Sequence, residues 1–194
     1  MADKTLTKHK LNDPKKWVYL YSDKLYRYAF YRINIREIAE DLVQETFLSA
    51  LKSIDQYRGE SAELSWLISI LKYKIIDYLR YKYKQNPINQ SDIEKIEIGH
   101  LFDDNHSCHI NSPSNWVADP SELVEKKEFW KIFEMCLERL TPLGAQAFTL
   151  REVENMNTVD ISDILNITKS NLYVILHRSR LILRNCMDKN WVNI

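Results

Sequence analysis

The chain has 194 residues, enough for one medium domain or two small ones, and its three glycines favour long helices over turn-rich strands. Its formal net charge of zero argues against a uniformly basic DNA-binding protein. No apolar run is long enough to cross a membrane, no signal peptide is expected, and three scattered cysteines predict reduced thiols in a cytoplasmic protein.

The charge is distributed unevenly along the chain. Residues 1–86 hold 16 basic and 11 acidic side chains, a net charge of +5. Residues 87–127 hold three basic and eight acidic ones, a net charge of −5, and residues 128–194 hold eight of each. The basic charge is therefore local, as a nucleic-acid surface requires.

The amino-terminal part predicts a helical domain preceded by an extension. Residues 1–14 are polar, lysine-rich and aperiodic, so we expect them to be disordered. A tyrosine-rich helix is expected from about Lys15 to Arg32. With two further helices it forms a domain over roughly residues 15–86.

The second predicted helix, within residues 38–54, has an apolar face and an acidic face. Its apolar side chains recur at three- and four-residue steps and include Leu42, Val43 and Leu51. The other face carries acidic side chains together with the exposed aliphatic Leu48. Such a face favours either docking of a basic partner or simple solvation.

The third predicted helix follows the loop YRGES (57–61), in which Gly59 relaxes the backbone and Ser61 is the expected N-cap. Between residues 67 and 86 the chain has five basic side chains against one acidic one, interleaved with four tyrosines, and we expect Tyr73 and Tyr83 on the outward face. Cations track phosphates and aromatic rings stack on unpaired bases, so this mixture indicates binding of single-stranded nucleic acid.

Asn86-Pro87 ends that helix and begins an acidic, aperiodic segment, which we interpret as a flexible linker over residues 87–120. It contains a cluster of candidate zinc ligands: His100, His106, Cys108 and His109. Their spacing matches no established zinc pattern, so no metal and no cofactor is predicted.

Residues 121–194 predict a second helical domain that contains a helix-turn-helix. Thr141 precedes a helix of about residues 143–154, with Val153 on its buried side. Asn157 begins a short helix, Asn166 suits a left-handed turn, and Thr168 caps a longer helix. This is the pattern of a helix-turn-helix, whose second helix enters the major groove.

With both domains in view, the sequence resembles bacterial RNA polymerase sigma factors of the extracytoplasmic-function type. The stretch AEDLVQETFLSAL, the loop YRGES and the following Trp66, Asp77 and Arg80 are similar to sigma region 2. The stretch LERLTPLGAQAFTLRE, the helix-turn-helix and HRSRLILR are similar to region 4. The resemblance implies two helical domains joined by a linker and a non-catalytic initiation factor.

The resemblance also implies roles for individual residues. Core polymerase would bind the acidic helix, at Asp41, Gln44, Glu45 and Leu48. The melted minus-ten promoter element would be held by the loop and the third helix, at Tyr57, Arg58, Ser61, Trp66, Lys72, Tyr73, Arg80, Tyr81 and Lys82. The minus-thirty-five element would be read by the recognition helix, at Lys169, Ser170, Asn171, Tyr173, His177 and Arg178.

Three positions depart from the family pattern. Tyr73 stands where relatives commonly have asparagine, and Tyr173 and Ile175 stand where basic residues are common. The recognition helix is therefore less cationic than usual, and we expect weak minus-thirty-five binding outside the polymerase complex.

The implied partners are core RNA polymerase, through the clamp helices of its largest subunit and its flap, promoter DNA, and an anti-sigma factor, with no membrane contact. A conventional dimeric helix-turn-helix regulator is the alternative function. That alternative explains residues 157–184 but gives no role to the acidic face or to the basic, tyrosine-rich helix.

Overall fold

The structure is a computed structural model that describes residues 12–96 and 127–191. All regular elements in these ranges are helical, which confirms the predicted all-α fold. Internal contacts divide the described chain into a first unit, residues 12–81, and a second unit, residues 82–96 with 127–191. The division falls within one long helix, between Tyr81 and Lys82.

The first unit contains three α-helices: α1 (Trp17–Ile33), α2 (Arg36–Lys52) and α3 (Glu63–Gln85), of which α3 continues beyond the unit. Short 3-10 helices, Pro14–Lys16 and Ile54–Gln56, precede α1 and follow α2. Asn34 has a positive φ of 54° and ends α1, so two residues suffice to reach α2. The core is formed by large side chains that are almost fully buried: Trp17, Leu25, Ile33, Leu67, Leu71, Ile75 and Leu79.

Two expectations for the first unit were wrong. Residues 12–14 belong to the segment predicted to be disordered but are ordered, and the backbone and side-chain amides of Asn12 donate to the carboxylate of Glu63 at 2.9 and 2.8 Å. Helix α3 begins at Glu63, so Ser61 is one residue too early to be its N-cap.

The second unit contains the end of α3, a short α4 (Gln90–Glu94), α5 (Lys127–Glu138), α6 (Pro142–Phe148), a π-helical turn (Thr149–Val153), α7 (Thr158–Leu165) and α8 (Lys169–Asn190). Helix α4 lies in the segment expected to be an irregular linker. It begins with a capping box between Asn89 and Asp92, and it buries Ile93 completely. The sequence pattern missed this helix because five residues are too few to show a helical period.

The helix-turn-helix is confirmed in its details. The amide of Asp160 donates to the side chain of Asn157 at 2.9 Å, and that of Asn171 donates to Thr168 at 3.2 Å. Asn166 has the expected left-handed conformation, with a φ of 52°. The side chains expected to face inward on α8 are buried: Leu172, Ile175, Leu176, Ser179 and Leu183.

Replacement of Thr168 by alanine removes this N-cap, and we expect it to lower the free energy of unfolding of the second unit by about 1 kcal/mol. Thermal denaturation followed by circular dichroism measures the loss. Ser170→Ala, two residues further on at an exposed position, is the matched control and should not destabilise the unit. Equal stability of Thr168→Ala and the unmodified protein would contradict the capping role.

Two side chains of the second unit differ from expectation. Val153 is exposed because the chain passes from α to π geometry after Phe148, and the wider turn rotates Val153 away from the buried side. Tyr83, expected on the outward face of the basic helix, is buried and donates through its hydroxyl to Gln146 Oε1. Its backbone carbonyl accepts from Asn166 Nδ2 at 3.2 Å, so the end of α3 is bonded to the helix-turn-helix.

The cysteines also differ from expectation. Cys136 on α5 and Cys186 on α8 form a disulfide, with Cα atoms 5.7 Å apart. The prediction of reduced thiols was therefore wrong for this pair. Fifty residues separate the two cysteines in sequence, and spacing alone gave no sign that the fold brings them together.

Candidate nucleic-acid interface

The acidic face of α2 is exposed along its length. Asp41, Gln44 and Glu45 all point to solvent, and Leu48 between them is 58% exposed. Glu45 also forms an ion pair with Lys74 of α3, with Oε2 and Nζ 3.1 Å apart. Asp41, Gln44 and Leu48 therefore remain available on one helix face for a partner, and Glu45 joins them only in competition with its ion pair to Lys74.

Leu51 belongs to this surface and was wrongly assigned to the buried stripe. The buried stripe is centred on Thr46, whose hydroxyl donates to the carbonyl of Leu42 at 2.7 Å. At about 100° per residue, Leu51 points well away from that stripe and lies one turn after Leu48. The exposed side chains of Leu48 and Leu51 thus form an apolar patch at the carboxyl-terminal end of the acidic face.

The loop before α3 is held by its own aromatic side chain. The Tyr57 ring lies 5.0 Å from the Trp66 ring, and the Tyr57 hydroxyl donates to the carbonyl of Ser61 at 2.5 Å. Gly59 turns the loop with a φ of 71°, a conformation that favours glycine. The side chains of Arg58 and Ser61 stay exposed.

Glu63 anchors this region, and the sequence analysis missed it. Its buried carboxylate accepts hydrogen bonds from Asn12, from Trp17 Nε1 at 2.8 Å and from the Tyr21 hydroxyl at 2.6 Å. Burial alone would raise the pKa of Glu63, but the hydrogen bonds from Tyr21, Asn12 and Trp17 outweigh it and hold the pKa below its ordinary value. The carboxylate therefore fixes the start of α3 to the start of α1.

Beyond Trp66, α3 presents an exposed aromatic and basic face. Tyr73 is 71% exposed, and Arg80, seven residues later and thus on the same side of the helix, is exposed beside Asp77. Tyr81 is 67% exposed, and Lys72 is half-buried. An aromatic ring and a guanidinium two turns apart provide one stacking group and one phosphate-binding group.

Lys82 differs from its neighbours in the predicted minus-ten set. It follows Tyr73 by nine residues, about two and a half helical turns, and so points to the opposite side of α3. Its ammonium lies 4.9 Å from the centroid of the Tyr83 ring, within the second unit. Burial lowers the pKa of Lys82. The structure thus brings Trp66, Tyr73 and Arg80 together but leaves Lys82 apart.

The outward face of α8 carries most of the predicted duplex-reading residues. Lys169, Ser170, Tyr173 and His177 are exposed. Val174, which was not predicted, is also exposed and adds an aliphatic side chain to the face.

Two polar residues of α8 make contacts within the second unit. The half-buried Asn171 uses its backbone amide for the cap on Thr168. Arg178 donates from Nη1 to the carbonyl of Ile93 at 2.9 Å. The guanidinium of Arg178 thus bonds the recognition helix to the last turn of α4.

The candidate zinc ligands His100, His106, Cys108 and His109 lie outside the described residues. Within residues 12–96 and 127–191, no group of three or more histidine, cysteine or acidic side chains is arranged to hold a metal ion.

Comparison with known protein families identifies both units. A family model described as sigma-70 region 2 matches residues 18–85, and one described as sigma-70 region 4 matches residues 130–183. The chain is 37% identical over 170 residues to a "Probable RNA polymerase sigma factor" of Haemophilus influenzae, covering 84% of this chain and 83% of that one. This protein is a sigma factor.

A second relative shows that the protein is of the extracytoplasmic-function type. The sigma factor is 30% identical to the extracytoplasmic-function sigma factor SigM of Bacillus subtilis, over 83% of this chain and 86% of that one. The co-crystal structure of the sigma factor RpoE with the anti-sigma factor NepR from Bartonella quintana aligns with 92% of this chain and 98% of that one. The TM-score of that alignment is 0.43, at 18% identity.

As an alternative sigma factor, the protein acts in transcription initiation with RNA polymerase and promoter DNA. Sigma factors are initiation subunits and not enzymes. In the part of the chain that the structure describes, no helix has both the length and the apolar character of a membrane span.

Proposed function

We propose that the acidic face of α2 binds core polymerase, that the outward face of α3 holds the melted minus-ten strand, and that α8 reads the minus-thirty-five duplex. The observation that carries this proposal is the exposure of Tyr73 beside Arg80 on α3. The ring of Tyr73 can stack on an unpaired base while the guanidinium on the same helix face contacts a phosphate.

The loop and Trp66 form the entrance to this face. Extruding a base from the duplex costs a few kcal/mol of stacking, which new aromatic contacts offset. Tyr57 and Trp66 already pack on each other, and the Glu63 carboxylate fixes the helix that carries Trp66. The aromatic groups are thus positioned before DNA arrives, and little ordering cost remains at binding.

The proposed duplex contacts on α8 follow from the position of each side chain. Ser170 and Tyr173 are exposed near the amino end of the recognition helix, where base edges are reached in helix-turn-helix complexes. Lys169 and His177 are placed to contact phosphates, and Arg178 joins them only by giving up its bond to Ile93. This internal bond supports the expectation of weak minus-thirty-five binding by the free protein.

Charge reversal at Asp41 tests the polymerase-binding face. Because a lysine there would repel a basic partner surface, we expect Asp41→Lys to weaken binding to core polymerase at least ~10-fold. Fluorescence anisotropy of the labelled sigma factor, titrated with core polymerase, measures the affinity. Asp23→Lys makes the same charge change at an exposed position of α1 and should bind as the unmodified protein does. If the two variants bind equally well, the assignment of this face is wrong.

Reconstituted transcription tests the proposed function as a whole. Promoters are first found by sequencing the 5′ ends of transcripts after overexpression, and each is then transcribed by core polymerase with and without the sigma factor. We expect transcripts that depend on the sigma factor and on both promoter elements. Equal transcription by core polymerase alone would contradict the proposal.

We also propose, from the family resemblance, that the sigma factor acts in the cytoplasm and is held inactive by an anti-sigma protein. Co-purification of a tagged sigma factor from cells of its source organism, grown without inducing stress, tests this partner. Recovery of core polymerase alone under those conditions would count against it.

A further inference from the structure

The disulfide lies in the unit that carries the recognition helix. Cys136 is on α5 and Cys186 is near the end of α8, and both side chains are almost completely buried. The amide of Asn190 donates to the carbonyl of Cys186 at 2.7 Å, and the Phe129 and Trp191 rings meet 5.7 Å apart. The bond therefore joins the carboxyl-terminal turns of α5 and α8.

A disulfide is unexpected in a protein that works on chromosomal DNA. The bacterial cytoplasm is kept reducing, and cytosolic disulfides are usually transient, catalytic or redox-sensing. We propose that Cys136 and Cys186 form a reversible thiol–disulfide switch that controls the stability of the minus-thirty-five-reading unit. This inference rests on one part of the proposed function, namely that the protein acts in the reducing cytoplasm.

Of the two cysteines, Cys186 is the one that borders a surface cavity, although its side chain is only 2% exposed. Cys186 lines a surface cavity of about 290 Å³, together with Arg139, Lys95 and the side chain of Ile182. At this opening the exposed Arg139, next to Lys95 and its 2.7 Å ion pair with Asp92, attracts an anionic thiol or disulfide such as glutathione. Cys186 is therefore the sulfur that reacts first, and Cys136 completes the exchange.

The exchange is balanced with glutathione disulfide as the oxidant. The Cys186 thiolate attacks one sulfur of glutathione disulfide, forms a mixed disulfide and releases one glutathione thiolate. The Cys136 thiolate then attacks the Cys186 sulfur and releases the second glutathione. Two protein thiols are oxidised, one glutathione disulfide is reduced to two thiols, and the two protons pass from the protein to glutathione. Reduction runs through the same steps in reverse.

The bond matters to the recognition helix because of the length of chain that it closes. The two cysteines are 50 residues apart. The loop that the bond closes contains α6, α7 and α8 as far as Cys186, and so it includes the helix-turn-helix. A closed loop of this length strongly restricts the unfolded chain. Without the bond, α5 and the end of α8 lose their covalent link. Reduction thus loosens the unit and weakens reading of the minus-thirty-five element.

The test uses the full chain in buffers of defined reduced-to-oxidised glutathione ratio, quenched with an alkylating reagent and analysed by mass spectrometry. We expect Cys136 and Cys186 to lose and gain alkylation together, while Cys108 is alkylated at ratios that oxidise the pair. We also expect the melting temperature of the oxidised form to exceed that of the reduced form by at least ~10 °C.

Variants separate the switch from nonspecific oxidation. Cys108→Ala should keep the full response, and the double variant Cys136→Ala, Cys186→Ala should lose it while melting near the reduced form. Alkylation of both cysteines at every ratio, or equal melting of the oxidised and reduced forms, would overturn the proposal. Neither readout depends on promoter binding, so failure of the proposed function would be seen separately, as loss of transcription in both redox states.

Discussion

Replacement of Glu63 by glutamine is expected to lower the free energy of unfolding of the first unit by about 2–3 kcal/mol. The carboxylate accepts from Asn12, Trp17 and Tyr21, and it is almost completely buried. Glutamine replaces one accepting oxygen with an amide that faces the Asn12 amide, so that two donors oppose each other. Native-state amide exchange in α1 and α3 measures the loss within this unit.

The pH dependence of this effect has a definite sign. The pKa of Glu63 is lowered in the folded protein, so its contribution to stability is complete above the ordinary carboxyl pKa and is lost as pH falls through the lowered value. The difference between the unmodified protein and Glu63→Gln should therefore shrink in acid. Glu60→Gln, at an exposed position three residues earlier, should change stability little at any pH. A difference that persists undiminished below the folded pKa would contradict the assigned role.

Replacement of Tyr73 by alanine is expected to reduce open-complex formation about 10- to 100-fold, because stacking of one base on an aromatic ring contributes about 1–3 kcal/mol. Tyr73 is exposed and lies outside the core, so the fold should be unaffected. Potassium permanganate footprinting of melted thymines at the minus-ten element measures the open complex directly.

Tyr19 provides the matched control for Tyr73. It is 90% exposed on α1 and, two residues after Trp17, points away from the side of α1 on which Trp17 packs against Trp66, so Tyr19→Ala removes an even more exposed ring from another helix. Normal melting with Tyr19→Ala and impaired melting with Tyr73→Ala would assign the effect to the face rather than to the loss of a surface tyrosine. Equal melting by both variants would exclude a stacking role for Tyr73.

Local sequence signals predicted the helix-turn-helix well. Its boundaries are set by side chains that bond to their own backbone neighbours, as Asn157 and Thr168 do, and by the left-handed Asn166. Such interactions span three or four residues and are visible in the sequence. The acidic face of α2 was likewise visible, because its period follows from helical geometry alone.

The misses share a different cause, since each depends on contacts between residues far apart in the chain. Glu63 is bonded to Trp17, 46 residues away, and Tyr83 is buried by Gln146, 63 residues away. Cys136 and Cys186 meet only after α5 packs on α8. Leu51 and Val153 show a second limit of prediction from helical periodicity. Leu51 was assigned to the buried face because the centre of the buried stripe was misplaced. Val153 was assigned to it because the change from α to π geometry was not foreseen.

The most direct test of the account places a photo-crosslinking residue, p-benzoylphenylalanine, at position 73 of the sigma factor in a complex with core polymerase and promoter DNA. The account predicts crosslinks to one strand of the minus-ten element, formed only under conditions that melt the promoter, and none from the same residue at position 19. Crosslinks that form equally on unmelted duplex, or that are absent from a complex shown to be open, would contradict the claim that α3 holds the melted strand.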